Sequence, residues 1–326
     1  LDRLVPVVVP ATEECIMTAV QSNSRMTMLR QDKRFQAGIW SVLSYIGLVI
    51  FLVLWLFPVF WMVVTSIKPN REITANVAPL GVVEPTVRNF TYLFERSPDI
   101  VIGDSVMQGS RNTQFLRWSW NSLFVSATTT LLSVVAGTMA AYALVRYALP
   151  GRGAMGLGIF ITYLLPQTLL FIPMTLVVRQ LGLYDNLWAL VLVYPTMMVP
   201  FCTWLMMGYF RAIPSDMENS ARVDGATRWQ AFYKVALPLA RPGIISASIF
   251  TFTLSWSEFL YALVLMPSSA NQTIPIGVPN ALSSGDVFIW GSLMAAALLG
   301  SLPVVLVYAF FMRYFVSGMM VGAVKG

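Results

Sequence analysis

Histidine is absent from the 326 residues of this chain, and cysteine occurs only twice, at Cys15 and Cys202. Two cysteines so far apart make neither a disulfide framework nor a metal site. Without histidine, His-ligated zinc chemistry and Ser-His triads lack parts. Charge is scarce as well: 11% of residues are charged, against about a quarter in an average soluble domain. Glu258 is the one carboxylate well inside a long apolar run, so hydrolysis by paired carboxylates lacks its second acid. No G-x-x-x-x-G-K-S/T loop occurs, which excludes nucleotide binding of the P-loop kind by this chain. No stretch interleaves Lys and Arg with aromatics, so the net charge of +6 does not point to nucleic acid.

What the sequence has instead is apolar length. Hydrophobic residues make up 57% of it, and a helix needs roughly 20 mostly apolar residues to cross the hydrocarbon core. Six windows meet that length: 39–64, 121–147, 155–178, 188–210, 244–266 and 289–315. Backbone groups cannot stay unpaired in lipid, and these runs are too long for strands, so the expectation is an all-α polytopic membrane protein of six spans. Basic residues orient it. Arg25, Arg30, Lys33 and Arg34 precede the first span, and Arg146 and Arg152 follow the second. Arg211, Arg222, Arg228, Lys234 and Arg241 surround a polar loop after the fourth, and Arg313 and Lys325 follow or close the sixth. All lie on one side if both termini are cytoplasmic. On the opposite side, Glu72, Glu84, Glu95, Asp99 and Asp104 nearly balance the bases of the 68–118 loop.

The polar loop from Glu218 to Pro242 is the most informative segment. Asp216 and Glu218 suit a helix start, Gly225 permits a sharp turn, and Pro238 stops the next helical piece. Val223, Trp229, Phe232 and Val235 would form an apolar side, with Arg222, Asp224 and Lys234 in water. Such a helix buries its apolar side against a soluble partner or lies on the membrane surface. Inside the fifth window, Ser248, Thr251, Ser255 and Glu258 follow three- and four-residue steps and share one helical face. A carboxylate at that depth faces protein, water or a solute rather than lipid. The stripe therefore lines a passage or forms a hydrogen-bonded seam to another helix. Tyr163 and Gln167, beside the kink expected at Pro166, offer further donors and acceptors.

Ala221, Gly225, Val235 and Leu237-Pro238 stand at the spacing of the EAA loop of ABC-importer permeases, and the chain resembles that family. Asn121-Ser122-Leu123, Ala140 to Ala143, Leu181 to Asn186, Trp256 to Phe259 and Gly322 to Gly326 extend the likeness over about 38–326. They are similar to the maltose-type (MalG-like) second permease of carbohydrate importers. Where the family has Glu-Ala-Ala, this chain has Asn219, Ser220 and Ala221, which leaves Glu218 or Asp224 to supply the carboxylate.

The resemblance implies a type I importer permease fold in the bacterial cytoplasmic membrane. It implies an ABC ATPase dimer that binds ATP and Mg, a second and different permease, an extracytoplasmic solute-binding protein, and a sugar substrate. This chain itself would be a non-catalytic subunit with no cofactor or metal. Its coupling residues would be Glu218, Asn219, Ser220, Ala221, Asp224, Gly225, Val235, Leu237 and Pro238. The chain then divides into an N-terminal cytoplasmic extension (1–38), a membrane domain (39–316) and a cytoplasmic tail (317–326). The membrane domain carries the external loop 68–118, with an additional piece at 97–114, and the coupling loop 212–242. The external loop 267–288 is the candidate to meet the binding protein. Three other readings remain: an ABC permease for a non-sugar solute would lack the Gly322 to Gly326 ending, a secondary transporter would show inverted repeats, and a membrane enzyme would need a partner for Glu258.

Overall fold

The computed structural model describes residues 13–75, 81–94, 100–102, 105–107, 114–284 and 287–323, with side chains for 40–75, 81–94, 114–166, 168–283 and 288–312. The first twelve residues, most of the 97–114 piece, the Gln167 side chain and the end of the tail lie outside that set. The chain divides into two compact units, Leu1–Trp61 and Met62–Gly326.

The described part of the first unit is helical and belongs to α1 (Glu13–Ser66), which continues beyond it. Every side chain from Trp40 to Phe60 is exposed, and Trp40–Ser66 is long and apolar enough to cross a membrane. Phe51 packs on Trp55, and Phe57 on Trp61, one turn along. A rod that is apolar on all sides is stable only in lipid or against other apolar helices.

Among its described residues the second unit is mainly helical, with two short antiparallel ribbons, β1 (Ile100–Ile102) with β2 (Ser105–Met107) and β3 (Ser283–Ser284) with β4 (Val287–Phe288). Among the described residues three more stretches are long and apolar enough to span. They are α2 (Phe115–Arg146), the nearly continuous pair α5 (Leu187–Val193) and α6 (Pro195–Ala212), and Trp290–Met312 within α12 (Trp290–Ala323). Two bent pairs qualify only when their halves are joined. In the first, α3 (Arg152–Leu164) meets α4 (Gln167–Gln180) at 95°. In the second, α8 (Arg228–Leu239) meets α9 (Arg241–Trp256) at 72°. Between α6 and α8 lies α7 (Asp216–Val223); α10 (Leu260–Leu265) and α11 (Ile274–Leu282) follow α9.

Two expected spans need correction. The third breaks sharply instead of kinking, because Pro166 has no N–H and drives Leu165 into an extended conformation (ψ 131°). Pro173 stays inside α4. The fifth does not run unbroken from 244 to 266: α9 ends at Trp256, and Glu258 turns back to cap α10.

Helix α2 runs through the middle of this unit and packs against α6 and α9. Its inward face is small and hydroxylic, with Ser122, Ser126, Thr129, Ser133 and Thr138 all buried. Gly137 lets the α2 and α6 backbones approach closely: a Cβ there would stand 2.5 Å from Cys202 Cβ. The apolar core at one end joins Tyr142, Phe210, Phe232 and Ala236. At the other end it joins Leu93, Phe115, Trp118, Leu282 and Ile289. There Asn89 Nδ2 donates to the carbonyls of Ser66 (2.8 Å) and Lys68 (2.7 Å), closing the last turn of α1.

Replacing Gly137 by Val forces α2 and α6 apart, an overpacking penalty of about 1–3 kcal/mol. The thermal midpoint of the purified protein should fall accordingly, and an unchanged midpoint would contradict the close approach.

Candidate functional site

The loop after α6 forms an elbow of two helices. Helix α7 ends in a Schellman turn: Ala226 N donates to Ala221 O (2.9 Å) and Gly225 N to Arg222 O (3.1 Å), with Gly225 at φ 91°. Gly225 is there because an L side chain is strained in that conformation. The chain restarts at once with a capping box, in which Thr227 Oγ1 accepts from Gln230 N (3.2 Å) and Thr227 N donates to Gln230 Oε1 (2.8 Å). Helix α8 then passes through a wide turn at Phe232–Ala236 and bends into α9 beyond Pro238.

Glu218 fastens this elbow to the membrane core. Its carboxylate accepts from Tyr142 Oη (2.7 Å) and from Arg146 Nε (2.7 Å), both near the end of α2. Arg146 Nη2 also donates to Ile213 O (2.8 Å), one residue past α6. Around Tyr142 lie the rings of Phe232 at 4.5 Å, Phe210 at 5.4 Å and Tyr147 at 6.1 Å. The sequence expectation that Glu218 is available to a partner is therefore corrected: it is 6% exposed and turned inward. Of the two acids offered as substitutes, only Asp224 is exposed.

The apolar side expected from Val223, Trp229, Phe232 and Val235 is also divided. Phe232 is buried in the core and Val235 is half-buried, whereas Val223 is 88% and Trp229 59% exposed. Met217 and Tyr233 join those two on the outside, interspersed with exposed Arg222, Arg228 and Lys234. Asn219, Ser220, Asp224 and Gly225 are exposed, and Ala221, Leu237 and Pro238 are half-buried. A cleft of about 590 Å³ is lined by the end of α2 and the residues after it, by α7, and by Arg228 and Ala231 of α8. An exposed apolar patch ringed by charge, on a backbone fixed by caps, is the form of a docking surface.

The second candidate cluster lies within the membrane region. Glu258 Oε2 accepts from Tyr194 Oη (2.6 Å) and Ala262 N (3.2 Å), and Oε1 accepts from Tyr261 N (2.9 Å). The carboxylate thus closes the break between α9 and α10 and ties it to the α5–α6 junction. Thr251 is buried against Cys202 (Oγ1 to Sγ, 3.1 Å), and Ser255 is buried too. Both sit within packed helices. Ser248, half-buried, donates to Ile244 O in its own helix. Tyr163 is on another element, exposed, with its ring 5.7 Å from that of Phe201. Thr251 and Ser255 are thus buried on α9, Glu258 lies just past its end with other partners, and Tyr163 stands apart on α3.

Among residues that sequence reasoning missed, Tyr142 and Arg146 stand one turn apart on α2, and Tyr194 precedes Pro195. Their pairings with Glu218 and Glu258 span 76, 72 and 64 positions and leave no local signature. The 267–288 loop is anchored: Trp118 Nε1 donates to Ser269 O (2.7 Å), Asn121 Nδ2 to Gln272 O (2.8 Å), and Ser268 N to Asp185 Oδ1 (3.2 Å).

Removing one partner of a buried ion pair strands the other charge, at about 3–5 kcal/mol. Glu218→Leu and Arg146→Met should each destabilise the elbow by roughly that amount, and the double variant by less than either alone. A double-mutant cycle on thermal midpoints decides it; additive losses would mean that the two side chains do not act as a pair.

The family model described as "Binding-protein-dependent transport system inner membrane component" matches residues 133–321. The chain is 34% identical to the inner membrane ABC transporter permease protein YcjP of Escherichia coli K12, covering 86% of this chain and 95% of that one. It is 33% identical to the sulfoquinovosyl glycerol transport system permease protein SmoH of Agrobacterium fabrum C58, over 87% and 94%. In fold it is similar to a chain of a bacterial ABC transporter that imports the acidic polysaccharide alginate, with a TM-score of 0.70 at 22% identity over 85% of this chain and 96% of that one. With its helices built for a bilayer and its elbow built for docking, the chain belongs to the family of binding-protein-dependent transport system inner membrane components, as a multi-pass permease of an ABC importer.

Proposed function

We propose that this chain is one permease subunit of an ATP-driven importer for carbohydrates or glycosides, forming half of the translocation pathway in a bacterial cytoplasmic membrane with both termini inside. The observation that carries this reading is the elbow: Val223 and Trp229 face outward on a loop whose base is locked to α2 by Glu218. A soluble ATPase dimer, which binds the ATP and Mg that this chain has no phosphate loop to hold, receives that face. A second, different permease completes the pathway, and an extracytoplasmic binding protein delivers the solute, with the anchored 267–288 loop as its landing point. The subunit itself catalyses no reaction. The sugar class is supported by the name of SmoH and by the Gly322 to Gly326 ending. An importer for a non-sugar solute would share the elbow but not that ending.

Coupling requires that the ATPase grip the elbow differently in its two nucleotide states, since a partner with equal affinity for both shifts nothing. Within this scheme Ser248, Thr251, Ser255, Glu258, Tyr163 and Gln167 serve the pathway. Thr251, Ser255 and Glu258 set the shape of its wall from inside the packing, while Tyr163 offers a ring at its surface.

Trp229→Ala tests the reading. Truncating an aromatic anchor at an interface costs at least about 2 kcal/mol, so affinity for the ATPase subunit should fall roughly thirtyfold. Permease abundance in the membrane should hold steady, because Trp229 is exposed. Retention of the ATPase at wild-type affinity by a Val223→Asp/Trp229→Ala variant would contradict the proposal.

A further inference from the structure

A cavity of about 760 Å³, separate from the coupling cleft, opens between α3 and α6. Glycine makes the room. A Cβ built at Gly153 or Gly208 would meet nothing within 4 Å. The walls are apolar and include Phe160 and Trp204, whose rings lie 5.5 Å apart. At one end stand two cations, Arg152 at the first position of α3 and Arg211 in the last turn of α6. Among the described residues neither guanidinium has an ion pair, and no carboxylate lines the cavity. Gly151 gives α3 no capping side chain, so the positive end of that helix is also open beside Arg152.

The chemistry of this arrangement is layered. Arg152 opens α3 and Arg211 closes α6, so in the topology proposed above both stand at cytoplasmic ends of spans, with the aromatic walls further along the same helices. We propose that the cavity binds one anionic glycerophospholipid of the phosphatidylglycerol type. Its phosphodiester lies between Arg152 and Arg211, and the upper part of its acyl chains lies along Phe160 and Trp204. Basic pockets between spanning helices on the cytoplasmic side suit such headgroups through their charge. A free phosphate would satisfy the arginines and leave the walls wet. An apolar helix from another subunit would cover the walls and leave two cations unmatched. Leu239 and Pro242 form part of the lining, so the bound lipid also touches the bend between α8 and α9.

The test uses the assembled transporter in nanodiscs of phosphatidylcholine with phosphatidylglycerol, and counts retained lipid by native mass spectrometry. The wild type should keep phosphatidylglycerol selectively. Each of Arg152→Gln and Arg211→Gln should weaken that retention about fivefold, with phosphatidylcholine retention unchanged. Gly208→Leu, whose Cβ enters open space, should abolish retention. Arg152→Lys/Arg211→Lys keeps the charge and should restore most of it, which separates electrostatic loss from misfolding. Undiminished phosphatidylglycerol in the double Gln variant, a Lys variant as poor as the Gln variant, or quantitative cross-linking of Gly208→Cys to another subunit would each overturn the proposal.

Discussion

The structure around the coupling elbow depends on one buried ion pair. Glu218 and Arg146 have side chains only 7% and 14% exposed, so both have left most of their water behind. Such a pair is stable only when further hydrogen bonds complete it. Tyr142 supplies one to the carboxylate, and the Ile213 carbonyl takes one from the guanidinium. Four elements therefore meet at one point: α2, the end of α6, α7, and, through Phe232 on Tyr142, α8. With α2 also central to the packing of α6 and α9, a displacement of α7 is passed to the helices of the second unit instead of being absorbed by a loop.

The same logic holds at membrane depth. A carboxylate inside a membrane protein costs free energy unless it is partnered, and Glu258, just past the end of α9, has three hydrogen bonds, one from Tyr194 and two from the backbone of α10. The carboxylate does locally what a capping residue does at a helix start. It allows a spanning helix to be interrupted without leaving amides bare. The α3–α4 break at Pro166 and the α8–α9 bend after Pro238 are further interruptions, so this unit is a bundle with built joints. Joints of this kind, between stiff and closely packed segments, are what a rocking transporter needs.

Much of this was legible in the sequence because run length and punctuation are local properties. Apolar windows located the spans, and the distance from Ala221 to Gly225 to Pro238 located the elbow, whose Schellman turn requires that glycine. The capping box at Thr227-Arg228-Trp229-Gln230 also has a sequence signature. What was not legible is which way a side chain points when its partner is distant. Periodicity put Phe232 with Val223, but Tyr142, ninety positions earlier, draws Phe232 inward. An acid one position away from the family's Glu reads by spacing as a substitute contact, but Arg146 holds it inward. The unbroken fifth span failed for a related reason: nothing in its apolar composition reveals that Glu258 folds back onto the amides of Tyr261 and Ala262.

Whether α7 and the end of α2 move as one body is measurable by pulsed electron spin resonance. Spin labels go at Asp216→Cys and Leu149→Cys, both exposed, in a cysteine-free background of the assembled transporter cycled through its nucleotide states. The ion-pair account requires one narrow distance distribution that stays the same with and without ATP while solute is being carried. A distance that shifts or splits between those states would show that the elbow slides over α2, and the account would be wrong.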